Sequence, residues 1–278
     1  MGIAARNLST GEEFLLDHEE VFPTASTIKT AILYELYRQI DEGTHRLDDR
    51  VELKTSDIVE GSGVLRDIMP GLQPTVHDLA MLMIIVSDNT ATNMLIDLVG
   101  GPDSVNASMK AIGLDGTTLY RKINFNVKVT DPQWLATSTP FDLMRLAGMI
   151  GAGEAVSAEA SAGMLAILKR QHYTAQFPRF LGSNVYSAEL GETQHFWTAN
   201  KTGGVTGVRA DMGVISIPGD QIIAYGVMTD GSKDGGFTAE TEGEIANGRA
   251  GRVIMEYFWP EGFEQGLIGI ESPFMAGF

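Results

Sequence analysis

Three short groups of residues in this 278-residue chain carry side chains suited to nucleophilic chemistry: Ser26-Thr27-Ile28-Lys29, Ser87-Asp88-Asn89 and Lys201-Thr202-Gly203. A serine hydroxyl is a weak nucleophile until a neighbouring group takes its proton. Lys29 follows Ser26 by three residues, so on a helix the two side chains share a face. At a helix start Ser26 lies at the positive end of the macrodipole, which favours an alkoxide. To accept a proton near neutrality Lys29 must lose roughly three units from its ordinary pKa, or about 4 kcal/mol. Burial, the dipole and a second cation all act in that direction, and Lys201 is the candidate for that cation. Each group alone has a plainer reading: an N-cap serine, a polar interhelical turn, a solvated strand lysine. Their occurrence together, in this order, favours the chemistry.

The elements that must position these groups follow from the apolar pattern. A hairpin is expected over 3–7 and 13–16 around Ser9-Thr10-Gly11. A helix starts near Ser26, with Ile28, Ile32, Leu36 and Ile40 on one face, and Gly43 stops it. Thr75 and Asp78 form a capping-box-like pair ahead of the apolar run 79–86. Ala91, Met94, Leu95 and Leu98 make a second stripe, ended by Gly100-Gly101. Further helices are expected over 103–112, from Thr139-Pro140 with Asp142 to Ile150, and from Ser157 to Gln171. The stretch 119–139 has no clear period, and loops of that length are usually functional or disordered. Strands return at 195–200, 211–217 and 221–229, the last two joined by Pro218-Gly219-Asp220, and a long helix spans 239–258. The first motif thus falls at a helix start, the second between two helices and the third at a strand end. The tail 259–278 reads as a surface-packed extension, with a subunit contact as the alternative.

Strands at both ends enclosing a helical middle predict an α/β chain of the α+β sandwich type. Its five-stranded antiparallel sheet, flanked by helices, comes from residues 1–50 and 191–278. An all-helical second domain covers 51–190, and the active site lies between the two.

With these motifs in this order, the chain resembles the serine-enzyme superfamily of class A β-lactamases and penicillin-binding proteins. The likeness spans roughly residues 3–258 and includes Phe22-Pro23-Thr24-Ala25, Thr90-Ala91-Thr92-Asn93 and Thr137-Ser138-Thr139-Pro140. The resemblance implies a β-lactamase/transpeptidase-like fold and an acyl-enzyme formed on Ser26. It makes Lys29 the base, Ser87 the proton relay to the leaving nitrogen and Asn89 a ligand of the substrate amide. Lys201, Thr202 and Arg209 would bind the substrate carboxylate, and the backbone N–H groups of Ser26 and Gly204 would form the oxyanion hole. A solvent-exposed arginine is the rival reading of Arg209. The resemblance implies no cofactor, a small-molecule or peptide substrate such as a β-lactam or cell-wall peptide, and a periplasmic or secreted location.

One departure matters. Class A β-lactamases use a glutamate, in the loop before the Thr-rich helix start, to activate the deacylating water. Here the loop from Arg121 to Thr139 holds no glutamate, and counting back from Pro140 without gaps puts Ile123 at that place. Arg121 is retained, but the acid expected to pair with it falls on Ala136. Asp131 is the loop's one carboxylate and a candidate displaced base, though beside Pro132 it more often caps a turn. An apolar side chain cannot take a proton from water, so acylation is expected with slow deacylation, as in a D-alanyl-D-alanine peptidase or esterase. The rivals are a working β-lactamase with another base and a non-catalytic cell-wall peptide binder.

Composition excludes other classes. The net charge is −16, which disfavours nucleic-acid backbones. Cysteine is absent, which removes disulfides, thiolate metal sites and cysteine nucleophiles. The five histidines, His18, His45, His77, His172 and His195, are scattered with no HExxH spacing, so no metal is expected. The longest apolar run is far below the roughly 18 residues of a membrane span, and no signal-peptide pattern opens the chain. Walker A is ruled out by His195 and Asn200, and neither G-x-G-x-x-G nor G-x-S-x-G occurs at these sites.

Overall fold

The computed structural model describes residues 1–126, 134–182, 190–191 and 193–269. Its strands are β1 (Gly2–Asn7), β2 (Glu13–Leu16), β3 (Phe22–Pro23), β4 (Thr118–Leu119), β5 (Ala136–Ser138), β6 (Trp197–Val205), β7 (Val208–Ile217) and β8 (Gln221–Thr229). Its helices are α1 (Lys29–Asp41), α2 (Val76–Ile85), α3 (Asn89–Leu98), α4 (Pro102–Ala111), α5 (Pro140–Ala152), α6 (Ala158–Leu168), α7 (Glu242–Phe258) and α8 (Pro260–Glu264). A 3-10 turn, Ala25–Ile28, leads directly into α1.

The main sheet is five-stranded and antiparallel, in the order β2-β1-β8-β7-β6. It is the predicted sheet, built from both ends of the chain. Alternate residues feed two apolar layers. Ile3, Ala5, Ile215, Ile223, Tyr225 and Val227 face one layer, completed by Phe177, Ile254 and Met255. Ala4, Met212, Val214, Ala224 and Met228 face the other, which continues into the helices. A period of two with both faces buried is what a central sheet requires. The ring of Phe177 stacks on Tyr225 at 3.5 Å.

The stretch 51–190 is not all-helical. It carries β4 and β5, which form a small second sheet with β3 in the order β3-β5-β4. In addition, α5 lies on the main sheet. Glycines permit that approach: a Cβ at Gly226 would come within 2.4 Å of the Pro140 carbonyl oxygen, and one at Gly151 within 2.8 Å of Val214. Chain position alone therefore does not separate the sheet from the helices.

The third motif also departs from expectation. Lys201-Thr202-Gly203 is mid-strand, because β6 runs on to Val205 with Lys201 opposite Met212. Gly203-Gly204 masks the strand signal, yet Gly203 is required there. A Cβ at this position would come within 2.6 Å of the Thr24 carbonyl oxygen and 2.8 Å of the Ser26 nitrogen. The glycine lets β6 close against the turn that carries Ser26. In the tail, Trp259 and Ile268 are buried in the same apolar layer as Phe177 and Ile254, and the Gly269 N–H donates to the Leu181 carbonyl. Among the described residues, no helix is long and apolar enough to cross a membrane.

Candidate active site

Ser26 sits in the 3-10 turn ahead of α1, and its hydroxyl makes no hydrogen bond among the described residues. It is not an N-cap: Thr24 occupies that position and its side chain makes no cap bond. Lys29 follows at the first position of α1 and is fully buried. Its Nζ donates to the Ser87 carbonyl oxygen (2.7 Å), to Ser87 Oγ (3.1 Å) and to Asn89 Oδ1 (2.9 Å). The first and second motifs are thus joined through one ammonium group. Burial drives the Lys29 pKa well below the ordinary lysine value. The charge of Lys201 adds to that, and Asp88 opposes it.

The Ser87 turn is held by Asp88. Oδ1 of Asp88 accepts from the Ala91 N–H and caps α3, while Oδ2 accepts from the N–H groups of Val64 (2.6 Å) and Leu65 (2.8 Å). Ser87 itself has φ of 54°, and Ala25, beside Ser26, has φ of 45°. Left-handed backbone at non-glycine residues costs of the order of 1 kcal/mol or more, and here it falls on Ser87 itself and on the residue before Ser26. Ser62, between Gly61 and Gly63, completes the turn. Its hydroxyl donates to the Ser87 carbonyl (2.6 Å), and its carbonyl accepts from the Asn89 N–H. A Cβ at Gly61 would strike the Asn89 amide, and one at Gly63 the Asp88 carboxylate. Asn89 donates its own amide to the Glu60 carbonyl (3.0 Å).

Lys201 is fully buried in β6, with Nζ donating to the Thr202 carbonyl at 2.6 Å. Burial lowers its pKa to about 7, against the attraction of Asp211. Burial in turn raises Asp211 to about 7, although it accepts from Asn200 Nδ2, the Phe177 N–H and the Tyr225 hydroxyl. Because β6 is an edge strand, its outer backbone groups are free of sheet partners beside Thr202 and Gly204. Gln176 reaches that edge and donates to the Gly203 carbonyl at 3.1 Å.

Arg209 is buried rather than solvent-exposed. Its Nε pairs with Glu244 at 2.7 Å, Nη1 donates to the carbonyls of Val205 and Val208, and Nη2 to that of Gly236. Four of its five N–H donors are therefore used within the protein.

Ser26 stands where two lobes of a cleft meet. One, about 310 Å³, is the more polar of the two and includes Ser87, Gln176, Thr202, Arg209 and Glu244. The other, about 520 Å³, includes Asn89, Ile123, Phe125, Trp134 and Phe237. The cleft thus brings together Ser26, Ser87, Asn89, Thr202, Gly204 and Arg209, with Lys29 and Lys201 buried behind. Ile123 enters the wall because Asn93 clasps its backbone. Asn93 Oδ1 accepts from the Ile123 N–H and Nδ2 donates to its carbonyl, both at 2.9 Å. Asp131 lies outside the described residues. No sequence motif assigns a role to Ser62, Asn93, Gln176 or Glu244. The Gly-Ser-Gly triplet was a readable signal for Ser62, whereas Gln176 and Glu244 arrive by long-range packing.

Residues 1–258 match the model of the Beta-lactamase enzyme family. This chain belongs to that family. Among the solved β-lactamase-family structures, one from Sphaerobacter thermophilus is 32% identical with a TM-score of 0.80, covering 92% of this chain and 90% of that one. A single-residue mutant of PBP-A, described as an acyl-enzyme complex with penicillin G, is 28% identical with a TM-score of 0.77 and covers 92% and 89%. The Beta-lactamase L2 of Stenotrophomonas maltophilia is 34% identical over 112 residues, 40% of this chain, and the match spans only 37% of its length.

Proposed function

We propose that this protein is a serine hydrolase that forms an acyl-enzyme on Ser26 with β-lactams or D-alanyl-D-alanine-type amides and esters, and that it releases the acyl group slowly. The observation that carries this reading is the buried Lys29, bonded to Ser87, in a cleft whose wall includes Ile123, the residue that the ungapped count from Pro140 sets against the family's glutamate.

In the acylation step, Lys29 as a free amine takes the Ser26 hydroxyl proton while Oγ bonds to the substrate carbonyl carbon. The carbonyl π electrons move to oxygen, where the N–H groups of Ser26 and Gly204 stabilise them. On collapse the carbon–nitrogen bond breaks. The proton on Lys29 passes through Ser87 Oγ to the leaving nitrogen, restoring the amine. The Lys29–Ser87 hydrogen bond supports that route, and the depressed pKa of Lys29 supports its role as acceptor. Deacylation needs a proton taken from water, and general-base catalysis typically contributes 10²- to 10⁴-fold. Ile123 supplies none of it. A substrate of this kind goes with an enzyme of the periplasm or of the cell exterior.

The test is labelling with a fluorescent penicillin. Wild type should be labelled and Ser26→Ala should not, with the fold retained. Undiminished labelling of the variant would remove Ser26 from the mechanism.

A pH dependence follows from Lys201. It is an ammonium below about 7 and an amine above, so its attraction for a substrate carboxylate is present at low pH and lost as pH rises through about 7. The affinity of Ser26→Ala for a penicillin should therefore weaken over that interval, while that for the penicillin methyl ester should not. Equal profiles would take Lys201 out of carboxylate binding.

A further inference from the structure

A peptide N–H is as well aimed, and as strong a donor, as the peptide unit that carries it. The N–H of Ser26 belongs to the unit whose carbonyl is that of Ala25, and the N–H of Gly204 to the unit whose carbonyl is that of Gly203. Both carbonyls accept a hydrogen bond from a buried side chain. Thr24 Oγ1 donates to the Ala25 carbonyl at 3.1 Å, and Gln176 Nε2 donates to the Gly203 carbonyl at 3.1 Å. The two units are neighbours, since a Cβ at Gly203 would come within 2.8 Å of the Ser26 nitrogen.

Both side chains are themselves held. Asn247, fully buried on α7, donates its Nδ2 to Gln176 Oε1 at 2.8 Å. That bond takes the oxygen end of the Gln176 amide and leaves the nitrogen end for Gly203. The next residue is pinned as well, because the Phe177 N–H donates to Asp211 Oδ2 at 3.0 Å. Thr24 is fully buried, its N–H donates to the Ala136 carbonyl at 3.0 Å, and its hydroxyl is shared with that same oxygen at 3.2 Å. Ala25 has φ of 45°, and such backbone persists only where its surroundings fix it.

A hydrogen bond to a peptide carbonyl draws electron density toward its oxygen and strengthens the N–H of the same unit as a donor. In a site of low dielectric, successive hydrogen bonds polarise one another in this way. The bond also keeps the peptide plane aimed as charge develops on the substrate oxygen, which is where preorganised donors act. We propose that Thr24 and Gln176 are the positioning residues of the oxyanion hole, each orienting and polarising one of its two peptide donors, with Asn247 holding Gln176 in place. The proposal rests on the serine acyl-transfer reading above and deepens it.

Thr24→Val and Gln176→Met keep the size of the side chain and remove the donor. The probe is a penicillin isotopically labelled at its β-lactam carbonyl. Acylation of each variant, followed by stopped flow, should be slower by about tenfold, a fraction of the roughly 10²- to 10³-fold lost with a whole oxyanion donor. Release of the acyl group should slow by a similar factor, because both steps place charge on the same oxygen. Affinity for the intact penicillin, read in the Ser26→Ala background, should be nearly unchanged, since the ground-state carbonyl carries little of that charge. In the accumulated acyl-enzyme the labelled ester band should move to higher wavenumber in the infrared difference spectrum, as weaker hydrogen bonding leaves the carbonyl less polarised. Thr24→Ser, which keeps the hydroxyl, should restore both rate and band. The two substitutions lie on different elements, so either variant that keeps the circular dichroism of wild type carries the test. An unmoved ester band with a wild-type rate of acylation would overturn the proposal, as would a rate loss matched by an equal loss of affinity in the Ser26→Ala background. Wild type that gives no ester band at all would overturn the acyl-transfer reading itself.

Discussion

Replacing Lys29 by alanine should slow acylation of Ser26 by on the order of 10³- to 10⁴-fold, since residues that act as a unit lose nearly the whole effect when one is removed. The geometry explains the size of the loss. Lys29 Nζ reaches three acceptors on the Ser87-Asp88-Asn89 turn, so one substitution removes both the base and the link to the proton relay. Burial and the charge of Lys201 are what make its amine form accessible. A lysine in water would hold its proton and be a poor base. Stopped-flow acylation with a reporter β-lactam reads the effect directly, and circular dichroism confirms the fold of the variant. A wild-type rate in Lys29→Ala would transfer the role of base to another group.

The second large effect is expected at Ile123. In wild type a β-lactam should give a burst of about one product per enzyme followed by a slow steady rate, because acylation outruns deacylation. Ile123→Glu places a carboxylate in the wall of the lobe beside Ser26, on a backbone that Asn93 already fixes. The steady rate should rise by about 10²-fold, the low end for a positioned general base, since nothing nearby is arranged to orient the new group. The burst amplitude should stay the same. The substitution buries a charge where Ile123 is almost fully covered, so a loss of roughly 1–3 kcal/mol in stability is expected, read as a lower denaturation midpoint. An unchanged steady rate in a folded variant would mean that water does not reach the ester from this side.

How far the sequence reaches depends on whether a feature is local. The capping pairs were legible because both partners lie within one turn. Thr75 with Asp78 forms the reciprocal box, and Thr139 accepts from the Asp142 N–H. The 221–229 strand and the Pro218-Gly219-Asp220 turn were readable for the same reason. The local strand pattern through Lys201 ends at Asn200 because Gly203 and Gly204 interrupt it, and Gly203 answers to a tertiary contact, the approach of β6 to Ser26, which no local pattern records. The position of α5 on the sheet was hidden likewise, since its glycines matter only once Val214 and Gly226 are in place. At the site, short motifs gave Ser26, Lys29, Ser87, Asn89 and Lys201, which the fold gathers around one cleft. Arg209 shows the limit. The family resemblance implies a carboxylate ligand, and only the structure reveals that Glu244 and three carbonyls already occupy four of its five donors.

The central claim is that the acylating groups are assembled while the usual group for deacylation is missing. Intact-protein mass spectrometry after mixing with excess penicillin tests it most directly, with spectra taken over a time course and repeated on Ser26→Ala. The account predicts that wild type gains the mass of one whole penicillin, on the peptide containing Ser26, and keeps it long after mixing, while Ser26→Ala stays unmodified. A wild-type protein that remains at its native mass while penicillin is rapidly and fully consumed would contradict it, as would an adduct that forms equally on Ser26→Ala.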